Sequence, residues 1–252
     1  MQVLNSHVDS ALSRTRLTLA IARTADEVRE VQRLRYKIFI ESAGLASAIN
    51  PDGLDRDEFD VYCDHLIVRD SGTLEVVGTY RLLNPRGARQ IGRLYSESEF
   101  DLGRLGHLRG RLVDAGRACI HPAYRSGAVI MLLWAGLAAY VRREECEYLA
   151  GCGSLSLADG GRNAHAVYRG LSRTNLAPQE YRVTPHLPLP VNESGANEAY
   201  EIPPLLKGYM RSGAWICGAP AWDPEFNCAD LFLLLPLDNL DERYARRYLQ
   251  NR

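Results

Sequence analysis

The chain has 252 residues, 46% of them hydrophobic and 24% charged, with 31 acidic groups against 30 basic ones for a net charge of -1. That composition suits an ordinary globular core, and the charge balance excludes both the bulk basicity of nonspecific nucleic-acid binders and an acidic tail, so no nucleic-acid partner is expected. The six cysteines form no Cys-x-x-Cys pair and sit mostly among apolar residues; they read as reduced thiols of a cytosolic protein, with neither a metal site nor a disulfide framework.

Met1 to Arg16 carries His7, Asp9, Arg14 and Arg16 without an apolar run, which argues against a secretory signal. Leu17 to Ala22 reads as a short strand. Thr24 with Glu27 three residues on predicts a capping box that opens a helix, and Val28, Val31, Leu34 and Ile38 recur at helical spacing. Gly44, Pro51 and Gly53 interrupt that pattern, and Asp52, Asp55, Asp57, Glu58, Asp60 and Asp64 follow in an expected loop. Strands are expected at Cys63 to Arg69 and Val76 to Leu83, joined through Asp70-Ser71-Gly72 as an antiparallel hairpin.

Leu112 to Ile120 is a further predicted strand, ended by His121-Pro122. The stretch Ala128 to Val141 is shorter than the ~20 apolar residues of a membrane span, so the helix expected from about Ser126 to Glu144 is assigned to a core. Tyr148 to Leu155 is strand-like, Ala164 to Leu171 a short helix, and Tyr181 to Leu189 an extended segment. Asn192 to Asn197 is expected to be a surface loop. A helix near Leu205 to Ser212, a strand around Asp230 to Leu235 and a terminal helix near Asp241 to Leu249 complete the chain. This order of elements argues for one α/β domain around a mixed sheet.

The passage from Val113 to Trp134 is where chemistry is expected. A strand that stops at a proline and turns into a long helix leaves unpaired N–H groups at the helix start, suited to an anionic or carbonyl ligand. Its His121-Pro122-Ala123-Tyr124-Arg125 and single Gly127 resemble the GNAT acyltransferase superfamily. Where that superfamily repeats glycine to wrap the pyrophosphate of coenzyme A, this chain has Ser126, Ala128 and Ile130, whose side chains hinder close approach of a diphosphate. A single phosphate asks less of the turn, so the expected donor is the acyl-phosphopantetheine of acyl carrier protein, with no separate cofactor.

Leu34-Arg-Tyr-Lys-Ile-Phe39, Cys63-Asp-His-Leu-Ile67, Gly78-Thr-Tyr-Arg-Leu82, Tyr95-Ser-Glu-Ser-Glu-Phe-Asp-Leu102, Gly116-Arg-Ala-Cys-Ile-His-Pro122 and Gly151-Cys-Gly-Ser-Leu155 together resemble the bacterial L-ornithine N-acyltransferases, from about residue 17 to Pro220-Ala-Trp-Asp-Pro224. The resemblance implies a GNAT-like α/β fold, a mixed central sheet flanked by helices, as a single domain over 1–252 with an extended C-terminal part. It implies transfer of a (3-hydroxy)acyl chain from acyl carrier protein to the α-amine of L-ornithine or a similar amino acid, giving lyso-ornithine lipid. The amphiphilic product adds an expectation of peripheral attachment at the inner membrane face to an otherwise cytoplasmic enzyme. Acyl-homoserine-lactone synthases and other N-acyl amino acid synthases share the skeleton of Arg35, Phe39, aspartate-rich loop, Arg81, acidic residue and Arg117, and are the nearest rivals. A carrier-protein-binding module that has lost its chemistry is the non-enzyme alternative.

Candidate roles follow, each beside a structural alternative. Asp114, where relatives usually have glutamate, is the candidate general base, directly or through a water; alternatively it forms an ion pair with Arg117. Regular strand geometry places those two on opposite faces, and a bulge at Gly116 would reset the parity. Arg81 or Arg117 is the clamp for the acceptor carboxylate, unless Arg81 pairs with an aspartate of segment 52–64. Asp57 and Asp60 are candidates for a second ammonium, against a merely solvated loop. Tyr168 and Ser154 are candidate donors to the leaving sulfur, against packing roles. Backbone N–H groups near Cys119 and Ile120 are expected at the oxyanion, and Arg125 with Gly127 at the donor phosphate.

Overall fold

A computed structural model describes residues 17–42, 50–190 and 200–240. In chain order the elements are β1 (Leu17–Ile21), α1 (Ala25–Tyr36), β2 (Asp64–Asp70), β3 (Val76–Leu83), α2 (Pro85–Ile91), β4 (Phe100–Asp101), β5 (Leu112–Ile120), α3 (Ala128–Arg143), β6 (Tyr148–Ser156) and α4 (Arg162–Leu171). They continue with β7 (Thr184–Pro185), α5 (Pro204–Arg211), β8 (Trp215–Ile216), β9 (Ala221–Asp223) and β10 (Cys228–Pro236). The expected surface loop at Asn192 to Asn197, the terminal helix at Asp241 to Leu249, the segment before Leu17 and Gly44 lie outside the described residues.

The helix start read from Thr24 and Glu27 is present as a reciprocal cap: the Thr24 side chain accepts from the Glu27 N–H, and the Glu27 carboxylate accepts from the Thr24 N–H. One turn of π-helix, Lys37–Glu41, extends α1 at its end. The hairpin between β2 and β3 is antiparallel as expected, but its loop is longer than a two-residue turn. Asp70 Oδ1 accepts from the Gly72 N–H, and the left-handed position falls on Leu74 at φ 63° rather than on the glycine. Helix α2, Pro85–Ile91, was not among the expected elements; Pro85 stands at its start, where no N–H is needed.

The described contacts group into two compact units, one of residues 17–91 and 115–144, the other of 92–114 and 145–240. In the first, β1, β2 and β3 form an antiparallel run and the second half of β5 follows β3. Helix α3 packs on β1 to β3 through two glycines. A Cβ on Gly78 would lie 2.4 Å from Val129 Cγ1, and one on Gly136 would lie 2.9 Å from Leu19 Cδ2, so these two positions set how closely helix and sheet approach. In the second unit the first half of β5 pairs with β6 in parallel, β6 is antiparallel to β10, and β8 and β9 pair with β10. Strand β5 gives its first half to this unit and its second half to the other.

Candidate active site

The β5–β6 register covers only Leu112 to Asp114, opposite Tyr148 to Ala150, whereas β6 pairs with β10 along its whole length. From Gly151 onward β6 therefore has strand pairing on its β10 side, and its other edge is not matched in the β5 register. Just past this point the backbone of β5 is irregular. The sequence placed a bulge at Gly116; the residue with left-handed backbone is Arg117 itself, at φ 51°. That conformation costs a non-glycine residue of order 1 kcal/mol, and it breaks the strict alternation that would put Asp114 and Arg117 on opposite faces.

In the unit that holds residues 17–91 and 115–144, three arginines and three aspartates interlock. Arg35 Nε lies 2.6 Å from Asp55 Oδ2 and its Nη1 2.9 Å from Asp60 Oδ1; Arg81 Nη1 lies 2.6 Å from Asp57 Oδ1 and 2.8 Å from Asp60 Oδ1. Arg117 Nε lies 3.4 Å from Asp55 Oδ2 and its Nη2 3.9 Å from Asp57 Oδ2. Gln32 donates to the second oxygen of Asp60, and His65 Nε2 meets the Asp60 carbonyl. Burial alone would raise the Asp60 carboxyl, but the guanidinium groups of Arg35 and Arg81 overcome it and hold the group at about 2. Arg81 is in turn held in its charged form by Asp57 against its burial.

This network decides between several alternatives. The acidic segment is not a solvated loop at its centre: Asp55, Asp57 and Asp60 are counter-ions of the three arginines, and Asp64 accepts from the Tyr140 hydroxyl at the start of β2. Arg81, 2% exposed and engaged by two carboxylates, is paired within the protein and not presented to an acceptor. Arg117, paired with Asp55 and Asp57, keeps 18% of its side chain exposed. Asp60 is likewise enclosed, while Asp57 keeps 26% exposure. Phe39 packs against a cluster that includes Val31, Leu34, Ile67 and Cys119. Cys119 is buried, which pushes its thiol up to about 12, so only its backbone is chemically available.

The donor turn also lies in this unit. Gly127 caps α3 with φ 100°, a conformation that L side chains rarely adopt, while the space around it is open. The helix begins at Ala128 rather than Ser126, because Ser126 and Gly127 are spent on the turn. Arg125 is exposed and its Nε donates to the Ile120 carbonyl at 3.4 Å, while Tyr124 Oη donates to Asp70 Oδ2 at 2.8 Å, tying the turn to the β2–β3 hairpin.

In the other unit, Asp114 is 3% exposed and is held by Ser96, whose N–H reaches Oδ2 and whose hydroxyl reaches Oδ1, both at 2.8 Å. The expected alternative, an ion pair with Arg117, is thus replaced: Arg117 turns to Asp55 and Asp57, and Asp114 to Ser96. Cys152 Sγ lies 3.7 Å from Ser96 Oγ. Ser154 is exposed and donates to Asp230 Oδ1 at 2.6 Å; Cys228 Sγ donates to Asp230 Oδ2 at 3.2 Å. Tyr168 is half-buried on α4. Asp223, Cys228 and Asp230 offer ligand atoms within 4.8 Å of one another, and burial with the neighbouring acids raises the Cys228 thiol.

Ser96 and Asp230 are the polar partners that sequence reading missed. Ser96 lay inside a quoted motif without any periodicity to single it out. Asp230 did carry a signal, as a lone acid in the apolar run Cys228-Ala-Asp-Leu-Phe-Leu-Leu-Leu235.

Comparison with known proteins follows the same lines. An acetyltransferase (GNAT) domain matches residues 34–135. The L-ornithine N(alpha)-acyltransferase of Brucella abortus is 33% identical over 250 residues, covering 92% of this chain and 88% of the relative. That of Rhodobacter capsulatus is 34% identical over 246 residues, covering 91% and 93%. Among solved structures, the AHL synthase LasI aligns with a TM-score of 0.54 at 12% identity over 93% of this chain and 95% of its own. FeeM, an N-acyl amino acid synthase, aligns with a TM-score of 0.53 at 13% identity over 95% and 97%. At such identities these two speak for the fold alone, a mixed sheet flanked by helices.

Proposed function

The chain belongs to the family of the L-ornithine N(alpha)-acyltransferases, acyltransferases of the GNAT fold, and on that premise we propose that it moves a 3-hydroxyacyl chain from acyl carrier protein to the α-amine of ornithine. The observation that carries the acceptor assignment is the 33% to 34% identity to those relatives, spread over more than nine-tenths of the chain. Transfer to an amine is common ground; ornithine and the carrier protein are the finer part of the proposal. The reaction places the product as an amphiphile at the inner membrane face; among the described residues no helix is long and apolar enough to cross a membrane.

In this reading Arg117 holds the acceptor carboxylate, and Asp57, still partly exposed, contributes negative charge for the side-chain ammonium. The α-amine loses its proton to Asp114 through a water, because a carboxylate that is 3% exposed and fastened by Ser96 is too recessed to meet the amine directly. The nitrogen then attacks the thioester carbon, the N–C bond forms and the C–S bond breaks. Backbone N–H groups at the end of β5 face the developing oxyanion. On the donor side, Ser126 and Ala128 flank Gly127, and the N–H groups at the start of α3 take the single phosphate of the phosphopantetheine.

The test is direct: incubate the protein with 3-hydroxyacyl carrier protein and an equimolar pool of amino acids and identify the products by mass spectrometry. N-acylornithine should dominate, and the matching acyl-coenzyme A should be a donor poorer by at least about tenfold in kcat/KM. Lactone formation from S-adenosylmethionine, or a monoamino acid as preferred acceptor, would overturn the acceptor assignment; equal use of both donors would overturn the carrier-protein assignment.

A further inference from the structure

Expulsion of a carrier thiol leaves a thiolate that needs a proton; Tyr168 and Ser154 are the candidate donors, and a serine hydroxyl needs a stronger acid behind it. Asp230, the third residue of β10, is the one acid in a strand whose other residues are apolar or a thiol, and it is 3% exposed. It stands directly across from Ser154 in the antiparallel β6–β10 pair, so both side chains rise from the same face of the sheet. Their contact is 2.6 Å. Asp114 lies on that face too, because it is paired with Ala150 and Ala150 and Ser154 are an even number of residues apart.

The two carboxylates differ in their company. Asp114 accepts two hydrogen bonds from Ser96, an arrangement that suits a carboxylate. Asp230 faces the Ser154 hydroxyl from β6, the Cys228 thiol from its own strand, Asp223 from β9 and Glu99 from the segment before β4; none of these is a cation. Burial raises its carboxyl, and with the negative charge of Asp223 it outweighs the hydrogen bonds from Ser154, Cys228 and Glu99, which pull the other way. The same face keeps Cys152 and Cys228 as thiols, through burial first and the surrounding acids second. The two carboxylates thus share a face of the sheet but not their partners, Ser96 for one and Ser154 with Cys228 for the other.

We infer that Asp230 is the proton source behind Ser154, passing a proton through the Ser154 hydroxyl to the sulfur of the departing carrier thiol. The inference rests on the acyl-transfer reading above and names the acid of that reaction. As the C–S bond breaks, its electron pair stays on sulfur; the Ser154 hydroxyl, which donates to Asp230 Oδ1 at rest, turns toward that sulfur and gives it the hydrogen, while the Asp230 carboxyl gives its own to the Ser154 oxygen. Asp230 is left as a carboxylate and is reprotonated from solvent between turnovers. Ser154 alone is too weak an acid for this step, which is why the buried carboxyl matters: Ser154 meets the sulfur, and Asp230 acts through it.

The experiment compares wild type, Ser154→Ala, Ser154→Thr, Asp230→Asn and the Ser154→Ala/Asp230→Asn double variant, with melting temperatures taken on the same preparations. Asparagine keeps the shape and still accepts the Ser154 hydrogen bond, but has no proton to pass. With 3-hydroxyacyl carrier protein and ornithine, Ser154→Ala and Asp230→Asn should each lower kcat about 100-fold with KM for both substrates within twofold of wild type. Ser154→Thr should recover most of the rate, and the double variant should be no slower than Ser154→Ala, since both changes cut one relay. An Asp230→Asn variant within threefold of wild-type kcat, or losses that multiply in the double variant, would overturn the inference. Ser154 is exposed, so Ser154→Ala reads the acid even if Asp230→Asn folds poorly. Failure of the wild type to acylate ornithine would strike the proposed function instead, and the same comparison then proceeds with whichever amine the wild type acylates.

Discussion

At the level of single residues, Asp114 is where two readings separate most sharply. Its carboxylate receives the Ser96 N–H and the Ser96 hydroxyl. Asparagine can keep both contacts, since its carbonyl oxygen can take the N–H while its amide donates to a reversed hydroxyl. Asp114→Asn should therefore melt within a few degrees of wild type, yet lose about two to four orders of magnitude in kcat if the group is the base. Single-turnover acyl transfer measured beside the melting curve decides this; a stable and fully active variant would remove Asp114 from the mechanism. The residue itself was readable from its place in a strand beside Arg117. Its partner was not, because Ser96 is 18 positions away and only the folded chain brings the two together.

Among the elements, the seating of α3 on the sheet is governed by Gly78 on β3. A Cβ there would fall 2.4 Å from Val129 Cγ1, inside any tolerable contact, so the helix that carries the donor turn must shift if the glycine is replaced. Gly78→Ala should cost about 1–3 kcal/mol. Adding Val129→Ala removes the methyl that is struck and should return part of that loss, leaving the double variant less destabilised than the sum of the two singles. Strictly additive losses in urea titrations would show that the contact does not control the packing. Strand periodicity marked β3 as buried, but not which of its residues had to be small; that depends on which helix residue lands above it.

For the whole molecule, acid stability should report on the arginine–aspartate network. Asp60 is held at about 2 against an ordinary 3.8, so its contribution is fully present above 3.8 and is lost as the pH falls through about 2. The shift corresponds to about 2 kcal/mol. Urea midpoints should fall between pH 5 and pH 2.5 in wild type. Asp60→Asn should be destabilised by about 3–5 kcal/mol at pH 7, because three arginines then share two aspartates, and its midpoint should fall less steeply over the same acid range. An unchanged slope would mean that other carboxylates control the acid limb. Sequence alone settled the capped first helix, the antiparallel hairpin, the β5-to-α3 passage and the family, since each is encoded by residues close together or by an ordered series of motifs. Tertiary structure decided that Arg81 serves Asp57 and Asp60, that the left-handed residue is Arg117 rather than Gly116, and that Asp230 stands behind Ser154. Those are choices of partner across 21 to 76 residues of chain, and they are made by strand register and burial, which no local pattern records.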